Sequence, residues 1–195
     1  MLMTVSQPRP VPPRLERCFG FIDLCGFTNF TEQYGDARAV GLLHTFRANV
    51  RDSASNHGVR VDKWLGDGAM LIADDWAPLV RTVMELQQAL AEFPLAMRAG
   101  LAAGLVLVFE GDDYVGRSIN LAAKLSDLAE PGQCLAPAAL STDAPPGSAA
   151  SPAGTREIPG FAEPLELVAL HAPGDRARLP TARPERADPR PASTT

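Results

Sequence analysis

A short stretch near the middle of the chain carries a lysine and a carboxylate that could act on one ligand. Residues 61–71 read as two apolar segments joined by a Gly-Asp-Gly turn at 66–68, a strong signal for a tight hairpin because glycine accepts a positive φ. Asp67 would stand at the tip of the turn, with Lys63 four residues earlier on the same face of a regular strand. The pair could hold two parts of a ligand, or could be a solvated turn carboxylate and a surface lysine.

A second carboxylate lies near the end of an apolar run. Residues 18–24 suit a buried strand, and Asp23 is the one acid among them. A carboxylate there is costly unless it is paired or holds a cation, so Asp23 is either a turn or capping residue or a metal ligand. A helix is expected to follow, with Thr28 as its N-cap candidate and Thr31 as the rival. Helix N–H groups at Phe27 and Thr28 could receive a phosphate.

A third group of polar residues falls on a predicted helix at 116–128. At helical spacing, Asn120, Ala123, Lys124 and Asp127 share one face. The amide of Asn120 and the ammonium group of Lys124 would therefore project side by side.

Alternating helices and strands must position these groups. Besides 116–128, the apolar spacing predicts helices at 36–56 and 76–93, the first ended by Gly58 as a left-handed cap. Strands with one tight hairpin between the helices place the chain in the α/β or α+β class with a layered sheet. The remaining predictions are the hairpin at 59–73, strand material at 95–109 with a kink or turn near Gly100 or Gly104, a turn at 110–113, a short strand at 134–136, a loop at 137–154, and closing strands at 155–158 and 165–170.

The composition limits the classes of protein to which the chain could belong. The chain has 195 residues, of which 46% are hydrophobic and 21% charged, with a formal net charge of −5. We expect a proline-rich flexible lead-in at 1–16, one domain at 17–171 and a disordered tail at 172–195. The acidic balance argues against a nucleic-acid binder, and neither a membrane span nor a secretory signal is visible. Three cysteines without metal or disulfide spacing fit a reducing, cytoplasmic setting.

Three segments, taken in order, point to a family. They are FIDLCGFT at 21–28, KWLGD at 63–67 and DYVGRSINLAAK at 113–124. Together they resemble the catalytic domain of class III nucleotide cyclases, the adenylate/guanylate cyclase family, over roughly residues 17–170. The resemblance implies an α+β fold with a ferredoxin-like core, in which helices pack on a mainly antiparallel sheet. It also implies a head-to-tail homodimer whose sites lie at the subunit interface and draw residues from both chains.

The resemblance assigns the two carboxylates to metal binding. Asp23 and Asp67 would bind two Mg²⁺ or Mn²⁺ ions, hard cations that prefer oxygen ligands. A main-chain carbonyl of Ile22 or Leu24 is a further candidate ligand, and Ile22 is favoured. Such a two-metal arrangement stabilises both the attacking and the leaving oxygens in phosphoryl transfer.

The resemblance also assigns base selection. Lys63 matches the lysine that donates to a ring nitrogen of adenine, and Asp113 matches the carboxylate that accepts from the exocyclic amine. Asp112 is a rival for this second role, although Asp113 keeps the family spacing to Asn120. Guanine would leave these groups unpaired, so Lys63 favours ATP over GTP.

The phosphate-binding residues depart from the family pattern at two positions. Asn120 matches the asparagine that positions the ribose, but Lys124 stands where the family usually has an arginine that stabilises the transition state. The lysine keeps the positive charge, but it lacks the planar guanidinium that binds two phosphate oxygens at once. Pro159 stands where many members have a lysine for the terminal phosphates, and Arg156 is a candidate substitute.

These residues predict an adenylate cyclase that converts ATP to 3′,5′-cyclic AMP and pyrophosphate. A catalytically weakened or inactive module, which binds nucleotide or dimerises for regulation, is the alternative supported by Lys124 and Pro159. Guanylate cyclase activity is disfavoured by Lys63. A generic metal-dependent phosphohydrolase could use two acids, but it would not account for Lys63, Asp113 and Asn120 together.

Overall fold

One mixed sheet forms the centre of the protein. The computed structural model describes residues 14–109 and 113–172, so the predictions for the lead-in, for Glu110 to Asp112 and for the tail beyond 172 fall wholly or mostly outside the described residues. The strands are β1 (Arg14–Leu24), β2 (Arg60–Leu65), β3 (Gly68–Ala73), β4 (Met97–Phe109), β5 (Asp113–Val115), β6 (Cys134–Pro137), β7 (Ala149–Arg156) and β8 (Leu165–His171).

The strand order is β2-β3-β1-β4-β6-β8-β7, with β5 paired to the end of β4. Every described pairing is antiparallel except that of β4 with β6. The predicted mainly antiparallel α+β architecture is therefore confirmed.

Helices cover both faces of this sheet. They are α1 (Phe27–Tyr34), α2 (Asp36–Asn56), α3 (Trp76–Ala89) and α4 (Arg117–Leu128), with a short 3₁₀ helix at Ala138–Asp143. Apolar residues of α2 and α3 pack on one face together with Ile22 and Leu24, whereas α4 packs on the other face against Phe19 and Met70. None of the helices within the described ranges is long and apolar enough to span a membrane.

The alternation of side chains along β1 decides where Asp23 points. Ile22 and Leu24 are buried on the α2/α3 face, so the residue between them faces α4. Arg98 on β4 and Gly68 on β3 are its register partners. The end of β1 that carries Asp23 therefore opens on the α4 side of the sheet.

The central hairpin forms as the sequence predicts. β2 and β3 pair across the 66–67 turn, and Gly66 has a φ of 68°, a left-handed conformation that favours glycine. A bulge between Val61 and Lys63 shifts the register by one residue, after which Lys63 pairs with Met70. Since Met70 packs on the α4 side, Lys63 also faces that side.

Several local predictions were wrong. The N-cap of α1 is Gly26, so Thr28 lies within the helix and Thr31 donates to the carbonyl of Phe27. Helix α3 ends at Ala89 rather than at residue 93, since residues 90–94 turn ahead of β4.

Two predictions in the second half of the chain also fail. Residues 97–109 form one strand, so the predicted turn is absent, although Gly104, one of the two positions predicted for a kink, has a φ of 155°. A Cβ at Gly100 would come 2.1 Å from the backbone nitrogen of Ser126, so this glycine permits close packing of α4. The predicted loop at 137–154 contains the start of β7, an edge strand in which Pro152 and Gly154 flank a register shift.

Candidate active site

Two carboxylates and an arginine meet at one end of the sheet. Asp23 is the next-to-last residue of β1 and Asp67 sits in the β2–β3 turn, and both line a cavity of about 430 Å³ that also includes Phe27, Thr28 and Arg98. We call it the acidic cavity. Arg98 donates from Nη2 (2.7 Å) and Nε (3.0 Å) to one oxygen of Asp23. This arginine was not identified from the sequence; the only signal is a single charge at the start of a long apolar strand.

The electrostatics of the acidic cavity favour a cation. Burial raises the pKa of the Asp67 carboxyl, and the negative charge of Asp23 raises it further. A metal ion would relieve both effects, and carboxylate oxygens are the ligands that Mg²⁺ and Mn²⁺ prefer. Among the described residues no group of three or more His, Cys, Asp and Glu side chains could hold a metal. The remaining ligands would have to be main-chain carbonyls, water or phosphate oxygens.

The carbonyl candidates lie beside the same carboxylates. Ile22 lines a second cavity, of about 310 Å³, which Asp23 shares with Asp127 of α4. Leu24 lines the acidic cavity itself. Both predicted carbonyl donors are therefore close to the two acids, and the choice of Ile22 over Leu24 stays a prediction.

The start of α1 faces the acidic cavity. No side chain caps this helix, and its first N–H groups, at Phe27 and Thr28, adjoin the two carboxylates. The sequence predicts this position for a phosphate, since a helix N-terminus attracts negative charge. The geometry is suited to that role even though Thr28 is not the cap.

The hairpin turn that carries Asp67 is tied to α2. Arg47 donates from Nη2 to the carbonyl of Gly66 at 2.9 Å, and its Cζ lies 4.9 Å from the centroid of the Trp64 ring. Arg51 stacks on the same ring at 5.1 Å. Sequence reasoning missed these contacts because they require the docking of α2 on the hairpin.

The predicted base-selecting residues are brought together. Lys63 of β2 forms a hydrogen-bonded ion pair with Asp113 of β5, across 50 residues of sequence. Next to them, Arg60 donates to the hydroxyl of Tyr114 at 3.1 Å and to Asp62 at 2.7 Å. The ring of Tyr114 packs edge-on against Phe19 at 5.6 Å. These contacts fix β5 over the α4 face of the sheet. The side chains of Lys63 and Asp113 are each about half exposed.

The predicted ribose and phosphate residues line a different cavity. Asn120 and Lys124 of α4 face a space of about 570 Å³ whose opposite wall is the loop at 159–162. We call it the α4 cavity. Arg117 also lines it, whereas Arg156 does not appear in its lining. The acidic cavity and the α4 cavity have no lining residue in common.

Within the described residues, then, the predicted site residues form three groups. Asp23 and Asp67 meet at one end of the sheet, Lys63 meets Asp113, and Asn120 shares a cavity with Lys124. Together these groups have the chemistry of a nucleotide site: oxygen ligands for cations, a donor–acceptor pair for a base edge, and cations for phosphate. The architecture is that of a nucleotide cyclase catalytic domain, the class that the sequence resembles.

Comparison with solved structures supports this class. The adenylyl cyclase CyaB from P. aeruginosa matches with a TM-score of 0.67 and 26% identity, over 81% of this chain and 94% of that chain. The guanylyl cyclase Cya2 matches in fold with a TM-score of 0.73 and 22% identity, over 87% of this chain and 98% of that chain. No protein-family model matches the chain.

Sequence relatives point the same way. An uncharacterized protein of Mycobacterium tuberculosis is 38% identical over 154 residues, which are 78% of this chain and 40% of that protein. A pH-sensitive adenylate cyclase of the same species is 32% identical over 130 residues, which are 65% of this chain and 32% of that enzyme. The chain thus matches less than half the length of these relatives. It belongs to the class III adenylyl/guanylyl cyclase family.

Proposed function

We propose that the domain is an adenylate cyclase that converts ATP to 3′,5′-cyclic AMP and pyrophosphate in the cytoplasm. The observation that carries the choice of ATP is the contact of Lys63 with Asp113. A lysine donor beside a carboxylate acceptor matches the acceptor ring nitrogen and the donor amine on the edge of adenine. The same pair opposes the carbonyl and ring N–H of guanine, and an unpaired polar group in a bound complex discriminates strongly.

The chemistry divides among the residues of the two cavities. Asp23 and Asp67 would hold two Mg²⁺ or Mn²⁺ ions, and Ile22 would add its carbonyl oxygen. When bound, these ions supply charge neutralisation and activation of the ribose 3′-hydroxyl. The N–H groups at Phe27 and Thr28 would receive phosphate oxygens. When the ions are bound, Arg98 would either move away from Asp23 or share the Asp23 carboxylate with a metal ion.

The α4 residues would act on the reacting end of the nucleotide. Asn120 would orient the ribose, and Lys124 would stabilise negative charge on the α-phosphate as the 3′-oxygen bonds to phosphorus and the bond to pyrophosphate breaks. Positioning and charge stabilisation account for most catalysis in phosphoryl transfer. Lys124 supplies a point charge rather than the planar fork of an arginine.

A homodimer is part of this proposal. The acidic cavity and the α4 cavity of one chain are lined by separate residues, so the family's shared-site arrangement would combine the acids of one protomer with the α4 residues of the other. Activity should then depend on protein concentration in the range where the dimer dissociates.

A second candidate function has its own support. Lys124 would stabilise the transition state less than an arginine does, and Pro159 cannot bind the terminal phosphates. Both departures favour a nucleotide-binding or dimerising regulatory module of low activity. In this case the domain would bind nucleotide and form dimers with little product.

The experiment that separates the two is a product assay with purified protein. ATP and GTP are supplied separately, in Mn²⁺ and in Mg²⁺, at several protein concentrations. Cyclic AMP from ATP, with specific activity rising with protein concentration, supports the dimeric adenylate cyclase. No product from folded, dimeric protein supports the regulatory module, and cyclic GMP as the main product would overturn the assignment of Lys63 and Asp113.

A further inference from the structure

The α4 cavity carries an arginine that the metal and base assignments do not use. Arg117 is the first residue of α4 and lines the cavity together with Asn120 and Lys124. Residues spaced by three and four lie on one face of a helix, so the amide and both cations face the same space. None of the described residues that line this cavity is acidic, although the chain as a whole has a net charge of −5. A cavity of this kind attracts anions.

Arg117 has a packed backbone and a ring contact at the end of its side chain. The preceding Gly116 lies so close to β4 that a Cβ there would come 2.6 Å from the Cγ1 of Val106, which sets the start of α4 against the sheet. At the other end of the side chain, the Cζ of Arg117 lies 4.8 Å from the centroid of the Phe161 ring. The guanidinium therefore lies at the junction of α4 and the 159–162 loop, and Arg117 is exposed there.

The loop itself brings no cation to this cavity. Its members there are Pro159, Gly160, Phe161 and Ala162, none of which can donate a side-chain hydrogen bond. Arg156, the candidate suggested by the sequence, is exposed on β7 and extends beside Gly154, with Nη1 3.3 Å from where a Cβ of that glycine would lie. Arg117 therefore stands where the loop lacks a positive group.

We propose that Arg117 binds the terminal phosphates of the nucleoside triphosphate in the α4 cavity, in place of the cation absent at Pro159. The proposal rests on the proposed function for its nucleotide, but its anion-binding part stands on the cavity alone. An arginine offers a planar fork of donors that fits two phosphate oxygens at once. Lys124, one helical turn beyond Asn120, then remains available for the α-phosphate. Arg117 is thus a substrate-binding residue and Lys124 a catalytic one.

The test measures binding of three probes to the full chain by calorimetry in Mg²⁺: 3′-deoxy-ATP, which cannot cyclise, 3′-deoxy-AMP and inorganic tripolyphosphate. Arg117→Ala should weaken 3′-deoxy-ATP and tripolyphosphate about tenfold to a hundredfold, the usual loss for a charged hydrogen bond. Binding of 3′-deoxy-AMP should change by less than about twofold. Arg117→Lys should recover part of the loss because it restores the charge without the fork.

Arg156→Ala is the matched control, since it removes the same residue type outside the cavity. It should leave all three affinities unchanged. Equal weakening of the monophosphate and the triphosphate by Arg117→Ala, or a loss with Arg156→Ala instead, would overturn the proposal. If the protein binds no nucleotide but binds tripolyphosphate in a way that depends on Arg117, the anion site is supported and the cyclase function is rejected.

Discussion

Arg98 and Asp23 are ion-paired across the neighbouring strands β4 and β1, with both guanidinium contacts on the same carboxylate oxygen. Each side chain is 28% exposed. Asp67, on the adjacent turn, has no side-chain ion pair among the described residues, and burial raises the pKa of its carboxyl. The two predicted metal ligands therefore differ: the charge of Asp23 is neutralised by Arg98, whereas burial disfavours the charged form of Asp67.

This difference gives the first prediction. Asp23→Asn and Asp67→Asn should each reduce turnover at least a hundredfold, because each removes a carboxylate from the cation site. In EDTA, Asp23→Asn should lower the free energy of unfolding by about 1 kcal/mol, because it removes the ion pair with Arg98 and leaves that guanidinium only its hydrogen bond to the carbonyl of Asp127. Asp67→Asn should keep or slightly raise stability at pH 7. Product assays and thermal unfolding measure both effects, and full turnover in either variant would reject the two-metal assignment.

Base selection gives the second prediction. Lys63→Glu should lower the ATP-to-GTP ratio of kcat/KM at least tenfold, because it replaces a donor to adenine by an acceptor and sets two acids side by side at Asp113. The assay compares both nucleotides at the same metal concentration. Glu92→Gln, at an exposed site outside β2 and β5, is the control for an unrelated change of charge. If the ratio is the same in wild type and Lys63→Glu, Lys63 does not contact the base.

The contacts of Arg47 and Arg51 of α2 with the β2–β3 hairpin give the third prediction. Arg47 and Arg51 both stack on Trp64, but only Arg47 also bonds the carbonyl of Gly66, the residue before Asp67. Arg47→Ala should therefore raise the Mn²⁺ concentration needed for half-maximal activity several-fold, because the turn that carries Asp67 loosens. Arg51→Ala is the matched control and should shift stability by about 0.5–1 kcal/mol without that change. The same metal requirement in both variants would exclude a positioning role for Arg47.

Much of the fold is accessible from the sequence because local patterns determine it. The predicted bounds of α2, 36–56, match the structure, since Asp36 opens the helix and the left-handed Gly58 follows its end. The Gly-Asp-Gly turn predicted the hairpin for the same local reason. The first part of strand β7, residues 149–154, was missed because an exposed edge strand with Pro152 and small residues has no alternating apolar pattern.

The site was predictable only where a motif marks its residues. Asp23, Lys63 and Asp113 stand in recognisable segments, whereas Arg98 and Arg47 do not, and Arg117 stands in the 113–124 segment without a role assigned to it from the sequence. The Arg98–Asp23 contact joins residues 75 positions apart, and it depends on the register of β1 against β4. Strand register and helix docking are set by the whole core, so contacts of this kind follow from the structure rather than from a local pattern.

The transition-state position gives the fourth prediction. Lys124→Arg should raise kcat about threefold to tenfold with little change in KM, because the planar fork contacts a phosphate more strongly in the transition state than a point charge does. Lys124→Ala should lower kcat by a larger factor. Both are measured in steady-state assays with ATP and Mn²⁺. A lower kcat in a well-folded Lys124→Arg protein would place Lys124 away from the reacting phosphate.

The contact between α2 and α3 gives a prediction for the pH dependence of stability. Glu85 accepts hydrogen bonds from Asn56 Nδ2 at 2.8 Å and from His57 Nε2 at 2.7 Å. The bond from Asn56, followed by that from His57, lowers the pKa of Glu85 below its ordinary value of 4.5. A lowered carboxyl pKa in the folded state contributes stability above the unfolded pKa, and this contribution is lost as the pH falls through the folded pKa.

Glu85→Gln should therefore be less stable than wild type at pH 7, by at most about 1 kcal/mol because the group is partly exposed. The difference should shrink as the pH falls below about 4.5, the ordinary carboxyl value. Urea unfolding at pH 3.5, 5 and 7 measures it. Glu92→Gln, on an exposed site just after α3, is the control and should cost less than about 0.5 kcal/mol at pH 7. A Glu85→Gln difference that stays constant or grows toward acid would show that the charge of Glu85 does not stabilise the α2–α3 contact.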